Sequence, residues 1–136
     1  MQCAGGLIEP PVSSPFAGGV FALVISLPKE YPATPPTIVF ETPVYHCNVS
    51  EAGAVCLDLL REKWTDAFTV LKALEAVRLL LAHPSPDDAL RQWIAELTIA
   101  DRNSNGADRR YADAAVAATR KDASRSIAEW QALWGC

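Results

Sequence analysis

No apolar run in this sequence approaches the roughly 20 residues that a helix needs to cross a bilayer. The start also lacks the basic segment followed by an apolar stretch that marks a secretory signal. We therefore expect a cytoplasmic protein without a membrane span. Of the 136 residues, 50% are hydrophobic and 21% are charged, which is ordinary for one globular domain that can bury a core.

Basic residues are too few and too scattered to form an extended positive surface. Lysine and arginine together number 12 against 16 acids, which gives a net charge of -4. Adjacent basic residues occur only at 109–110 and 120–121. We therefore do not expect nucleic acid as a partner.

Metal ligands are also scarce. The four cysteines are Cys3, Cys47, Cys56 and Cys136. None of them forms a C-x2-C pair, and the two histidines, His46 and His83, are too scattered to complete a zinc site. Without a secretory signal, we expect free intracellular thiols rather than disulfides.

The first half of the chain predicts an antiparallel meander. Residues 19–27 are rich in β-branched and aromatic side chains and end at Pro28. Val20, Ala22 and Val24 would face one side of this strand, and Phe21, Leu23 and Ile25 the other. Both faces are apolar, so at least one should lie under helices. A second strand is predicted at 37–41, after a loop stiffened by four prolines between 28 and 36.

The second half of the chain predicts helices. Residues 43–64 show no clean period, which favours a long functional loop with a short strand near 54–57. A helical period begins at Thr69, with Thr65 or Asp66 as its cap, and ends at Pro84. Another helix should begin at 86–88, followed by a polar turn at 100–106 and a helix at 108–122. Residues 127–134 suggest an amphipathic tail.

One stretch carries most of the functional information. Residues 45–58 read YHCNVSEAGAVCLD, and Asn48, Cys56 and Trp64 follow one another at intervals of eight. This stretch resembles the active-site segment of ubiquitin-conjugating enzymes, which hold ubiquitin as a cysteine thioester before it passes to a lysine. The likeness spans roughly residues 7–98. It includes SPFAGGVF at 14–21, YPATPP at 31–36 and PSPDDAL at 84–90.

The resemblance implies an α+β domain with the ubiquitin-conjugating-enzyme fold, in which a short antiparallel meander packs with a central helix and C-terminal helices. We expect one such domain over residues 1–136, with 119–136 as a C-terminal extension. The family has a basic first helix and a full first strand before the segment that matches Ser14. Thirteen residues precede Ser14, too few for both, so the usual N-terminal helix is expected to be lacking.

That short N-terminus has consequences for stability and partners. We expect a version with an N-terminal helix to be more stable than this chain. The apolar faces of the first predicted strand should either drive association or be covered by the tail around Trp130 and Trp134. The family's first helix contributes to docking on the activating enzyme, so we expect that enzyme to charge this chain poorly.

Cys56 is the expected nucleophile. Thioester exchange needs a thiolate that a bulky partner can reach, and a loop supplies that access. The alternative, a core cysteine between Val55 and Leu57, is disfavoured by the motifs before and after it. Cys47 stands where proline is more common in the family, and we do not expect it to be a second nucleophile.

Asn48 has two possible roles, which are compatible. Its amide could donate to the oxyanion formed when a lysine attacks the thioester, or it could hold the loop by bonding to backbone groups. The resemblance makes Asp88 the acid that orients the incoming lysine or helps to deprotonate it. Its alternative role, and the expected one for Asp87, is to stabilise a helix N-terminus. Asp58 also matches an acid of the family near the site.

Three further residues are expected to support the loop. His46 should fix the loop rather than transfer protons, Tyr45 should pack against it, and Trp64 should anchor it. Two ligase-docking positions depart from the family: Ala33 replaces a bulky apolar residue, and residues 65–67 read TDA rather than SPA. A specialised partner is therefore expected. Residues 82–88 and 91–107 faintly resemble the peroxisomal branch, so the nucleus or the peroxisome surface is an alternative location to the cytoplasm.

The predicted function is that of an acyltransferase, a carrier that accepts ubiquitin or a ubiquitin-like modifier on Cys56 and transfers it to a substrate lysine. The expected partners are the modifier, the activating enzyme, a RING-type or other ligase, and the substrate protein. No metal or other cofactor is expected, because the activating enzyme consumes the ATP. The alternative is a catalytically impaired scaffold of the same fold. A redox protein using Cys47 and Cys56 is disfavoured, since their spacing is not C-x-x-C.

Overall fold

The computed structural model describes residues 2–135, apart from the side chain of Gln2. Met1 and Cys136 lie outside the described residues. The expectation that Cys136 is a free thiol therefore stays a prediction. The strands are β1 (Gln2–Ile8), β2 (Phe21–Leu27) and β3 (Thr37–Phe40), and the helices are α1 (Val70–Ala82), α2 (Gln92–Asn103), α3 (Arg110–Asp122) and α4 (Ile127–Leu133). Within this range, no helix has the length and hydropathy needed to cross a bilayer.

The three strands form one antiparallel sheet in the order β1-β2-β3. β2 and β3 confirm the predicted meander, with Leu23 opposite Phe40. β1 was not predicted from the sequence. It pairs with β2 along its whole length, from Gln2 opposite Leu27 to Ile8 opposite Phe21. Its centre, Ala4-Gly5-Gly6, has low β propensity, so the neighbouring strand rather than local preference defines it.

The inner face of β2 confirms the predicted alternation. Phe21 and Leu23 are fully buried and Ile25 is 6% exposed. These side chains share one hydrophobic cluster with Ala73, Val77 and Leu81 of α1. The central helix therefore covers one face of the sheet, as expected for a strand that is apolar on both sides.

Several predicted boundaries were wrong. α1 is capped by Thr69, whose hydroxyl accepts a hydrogen bond from the Lys72 amide at 3.1 Å, and not by Thr65 or Asp66. The helix predicted to begin at 86–88 is only a 3-10 turn there, and α2 starts at Gln92. α2 then runs to Asn103, through the first part of the predicted turn. The strand predicted at 54–57 is reduced to two isolated bridges.

The C-terminal tail folds back over the outer face of the sheet. α4 begins at a capping box in which Ser126 and Glu129 each bond the other's backbone amide. Trp130 is buried, and the Trp134 ring lies so close to β1 that a Cβ atom on Gly5 would sit 2.8 Å from it. Of the two expected outcomes, association or covering by the tail, the structure shows the tail packed on the sheet. α3 extends to Asp122, so the boundary predicted at residue 119 falls inside a helix.

Truncating Trp130 should loosen this tail. Trp130 is 6% exposed, whereas Leu133 on the same helix is 62% exposed. Replacing a buried tryptophan by alanine removes apolar contacts and leaves a cavity, so Trp130→Ala should lower the free energy of unfolding by about 3 kcal/mol. Leu133→Ala, the matched control, should change it by about 0.5 kcal/mol or less. Urea titrations that gave the two variants equal stability would contradict this packing.

Candidate active site

The loop after β3 turns back on itself and brings Cys56 beside Asn48. The turn closes through the Ser50 amide, which donates to the Ala54 carbonyl at 2.9 Å. Gly53 adopts φ 93°, and a Cβ atom there would lie 2.1 Å from the Phe40 carbonyl oxygen, so a side chain has no room. The Cys56 amide then donates to the Asn48 carbonyl at 2.8 Å. The spacing of eight residues between Asn48 and Cys56 is therefore the number that the chain needs to turn and run back beside itself.

His46 connects the loop to α1. Its ring is fully buried, and Nε2 lies 2.8 Å from the Leu80 carbonyl oxygen. The backbone amide of Asn48 donates to Nδ1 at 3.0 Å, so Nδ1 carries no proton. Nε2 is therefore the nitrogen that donates to the Leu80 carbonyl. Burial lowers the pKa of His46 to about 4. A neutral ring with both nitrogens engaged fits the loop-fixing role rather than proton transfer.

Asn48 connects the loop to the segment that carries Asp88. Its side-chain nitrogen donates to the Ser85 carbonyl at 2.8 Å and to the Asp88 carbonyl at 3.2 Å. Its side-chain oxygen accepts from the Ser85 amide at 2.8 Å. The side chain is fully buried. Both amide hydrogens are thus engaged, and donating to an oxyanion would require Asn48 to release one of these carbonyls.

Cys56 is half-buried and lines a cleft with a volume of about 200 Å³. The cleft is lined by Cys56, Leu57, Asp58, Arg61, Glu62, Leu80, Ser85 and Asp88. Three of the predicted site residues, Cys56, Asp58 and Asp88, are therefore brought together, and Asn48 is tied to two of the segments that form the cleft. Asp87, although next in sequence to Asp88, does not line it.

The carboxylates around the cleft differ in their surroundings. Asp88 is exposed, at the end of the short turn Pro86–Asp88. Asp58 is also exposed, and its carboxylate pairs with Lys63 at 3.2 Å. Within residues 2–135, the His, Cys, Asp and Glu side chains form no group of three that could hold a metal ion. The side chains that line the cleft include a thiol, carboxylates and a guanidinium.

Cys47 occupies a different environment from Cys56. It is fully buried, and its thiol lies 3.5 Å from the Asn48 side-chain oxygen. Burial raises the pKa of the Cys47 thiol. A protein partner could not reach this sulfur without opening the loop. Its backbone carbonyl accepts from the Leu90 amide at 2.8 Å, so the residue helps to join the loop to α2.

Sequence reasoning missed Arg91. Its Nε donates to the Val49 carbonyl at 2.8 Å, and its terminal nitrogen donates to the carbonyls of Val44 and His46. Burial lowers the pKa of this guanidinium. One side chain thus holds three carbonyls of the loop after β3. Its role depends on contacts more than 40 residues apart in the chain, which no local pattern reveals.

Tyr45 and Trp64, the two aromatic residues expected to support the loop, make different contacts, and Tyr45 packs on helices rather than against the loop. Tyr45 packs edge-to-face on Trp93, with ring centroids 5.6 Å apart, and burial raises the pKa of its hydroxyl. Trp64 is 9% exposed and donates from Nε1 to the Pro32 carbonyl at 2.8 Å. Its ring also contacts Phe68. Trp64 therefore joins the end of the loop after β3 to the proline-rich loop, in the anchoring position predicted for it.

The stability of this loop should depend on the protonation of His46. Its pKa in the folded chain is about 4, below the ordinary 6.5, so protonation favours the unfolded chain. The contribution of neutral His46 is complete above pH 6.5 and is lost as the pH falls toward about 4. Across that window, each unit by which the pH falls should lower the free energy of unfolding by up to about 1.4 kcal/mol.

Urea titrations of the wild type and of His46→Gln across this pH range test the effect. The variant should be less stable near neutral pH but should lose stability less steeply on acidification, because the proton-binding site is gone. His83→Gln removes the exposed histidine and is the matched control. Parallel curves for the wild type and His46→Gln would show that His46 does not carry this pH dependence.

Comparisons with known proteins agree with this arrangement. A sequence model described as ubiquitin-conjugating enzyme matches residues 1–112. The E2 domain of a Toxoplasma gondii ubiquitin conjugating enzyme is similar at 33% identity and a TM-score of 0.77, with 88% of this chain and 79% of that one covered. A putative ubiquitin conjugating enzyme from Plasmodium yoelii is similar at 33% identity and a TM-score of 0.78, with 90% and 76% covered. The chain belongs to the ubiquitin-conjugating enzyme family, and its fold is the α+β fold of that family.

Proposed function

We propose that this protein carries ubiquitin or a ubiquitin-like modifier as a thioester on Cys56 and transfers it to a substrate lysine. The observation that carries the proposal is the position of Cys56, half-buried in a cleft that Asp88 also lines. Cys47, the neighbouring thiol, is fully buried. Cys3 is exposed but lies on β1, paired opposite Ser26 of β2 and away from the cleft.

The proposed reaction has two acyl transfers. In charging, the Cys56 thiolate attacks the thioester carbonyl presented by the activating enzyme, whose own thiolate leaves. In discharge, the lysine amine attacks the Cys56 thioester, the carbon–sulfur bond breaks, and its electron pair returns to Sγ. The proton of the amine passes to solvent or to the Asp88 carboxylate. Neither transfer needs a metal or nucleotide on this chain, since the acyl group arrives already activated.

The surrounding residues set the geometry of these transfers. Asn48 bonds the Ser85 and Asp88 backbone, so it fixes the segment that carries the Asp88 carboxylate at the cleft. His46 and Arg91 hold the loop that leads to Asn48. Asp58 also lines the cleft and pairs with Lys63. This division of work favours Asn48 as a structural residue, with Asp88 meeting the acceptor.

The proposed partners are the modifier, an activating enzyme, a RING-type or other ligase, and the substrate. Ala33 and residues 65–67, which depart from the family's ligase-docking pattern, are exposed to solvent. A small residue at Ala33 offers little apolar area to a ligase, so a specialised ligase is favoured.

The rival function is a scaffold without catalysis, and the accessible position of Cys56 favours the enzyme. The proposed location is the cytoplasm, with the nucleus or the peroxisome surface as alternatives.

The two loop cysteines should behave differently in a charging assay. With modifier, activating enzyme and ATP, Cys56→Ser should form no reducible thioester, or only a slower oxyester that resists thiols. Cys47→Ser should keep the thioester, because serine preserves a small donor at a buried position. Non-reducing gels with and without thiol provide the measurement. A Cys56→Ser chain that still forms a reducible adduct through Cys47 would reject the assignment.

Asp88 should act on discharge rather than on charging. Asp88→Asn removes the carboxylate from the cleft, and we expect roughly tenfold slower transfer to free lysine at neutral pH, where most of the amine is still protonated. The defect should shrink as the pH rises. Asp87→Asn is the matched control, since it alters the same short turn but not the cleft. Equal rates of single-turnover discharge for the two variants would leave Asp88 with no role beyond the short turn Pro86–Asp88.

A further inference from the structure

The guanidinium of Arg61 contacts the proposed nucleophile directly. A terminal nitrogen of Arg61 donates a hydrogen bond to Cys56 Sγ. Arg61 follows the 3-10 turn Asp58–Leu60, and its amide donates to the Asp58 carbonyl at 3.0 Å. Its carbonyl accepts from the Trp64 amide at 3.2 Å. Because its backbone is fixed at both ends, the side chain starts from a defined position beside the sulfur.

Several other polar side chains of the loop are engaged elsewhere. Both amide hydrogens of Asn48 go to backbone carbonyls, and both ring nitrogens of His46 have partners. Lys63, the next cation along the loop, pairs with Asp58. Of the residues that line the cleft, Arg61 alone carries a positive charge.

We infer that Arg61 is a further catalytic residue, whose positive charge stabilises the Cys56 sulfur while that sulfur is a thiolate. The inference rests on the proposed function. In charging, the thiolate is the nucleophile, and in discharge it is the leaving group that receives the electron pair of the broken carbon–sulfur bond. Arg61 acts through its charge in both steps and exchanges no proton. A guanidinium suits this task because it remains charged throughout the accessible pH range.

The size of the effect is limited by exposure. Arg61 is exposed to solvent, so water competes with its hydrogen bond to sulfur and screens its charge. A hydrogen bond to a charged group is nevertheless stronger than one between neutral groups. We therefore expect the loss of Arg61 to slow thiolate reactions at Cys56 by roughly tenfold, the low end of what removing such a bond produces.

Alkylation of the free protein tests this without any modifier. The full chain is treated with iodoacetamide at neutral pH, and peptide mass spectrometry follows the Cys56 adduct separately from the other cysteines. Arg61→Gln should react about tenfold more slowly, and Arg61→Lys should recover most of the rate, because a cation is restored. Lys63→Gln, the matched control, removes a cation of the same loop that pairs with Asp58 and should react within about twofold of the wild type.

The outcomes separate the inference from the proposed function. Alkylation of Arg61→Gln at the wild-type rate or faster would overturn the inference, and so would an equal loss in Lys63→Gln, since general charge would then explain it. A wild-type chain that forms no Cys56 thioester would reject the proposed function but leave the alkylation result standing. Where the thioester forms, its discharge to lysine should also slow about tenfold in Arg61→Gln, with unfolding midpoints unchanged.

Discussion

The side chain of Asn48 forms three hydrogen bonds to the backbone of Ser85 and Asp88, and the site depends on them. They join two segments that lie 37 or more positions apart in sequence. Asn48 is fully buried, whereas Ser85 and Asp88 are exposed, so water could reach part of what a non-polar residue at position 48 would leave unpaired. Each lost hydrogen bond of this kind costs about 0.5–1.5 kcal/mol. Asn48 therefore joins the segment that carries Cys56 to the segment that carries Asp88.

Arg91 and His46, like Asn48, hold the loop through hydrogen bonds from a side chain to distant backbone groups. The loop leading to Asn48 makes few regular strand or helix bonds, yet buried carbonyls need donors. Arg91 supplies several from one planar group, and the imidazole of His46 links the loop to α1. A long irregular segment can thus be as well defined as a strand, because buried polar side chains supply the hydrogen bonds that a neighbouring strand would otherwise make.

The sequence predicted what short-range patterns encode. The alternation in β2 and the helical period of α1 follow from residue order, and the structure agrees with them. The expectation that Asn48 serves the site of Cys56 came instead from the family resemblance. β1 escaped prediction because its glycines carry no strand signal and pairing with β2 alone defines it. The partners of Arg61 and Arg91 escaped for a related reason. An arginine's target depends on where distant backbone lies, which a linear pattern does not contain.

The packing of Trp134 on Gly5 makes β1 and the tail parts of one unit. The indole of Trp134 fills the space above Gly5, which has no side chain of its own. A strand with low β propensity is thus covered by a residue 129 positions away in the sequence. Sequence change at the two ends of the chain is then interdependent. A larger residue at position 5 and a smaller one at position 134 would be tolerated together more readily than either alone, and relatives without the tail should have a bulkier residue at the position of Gly5.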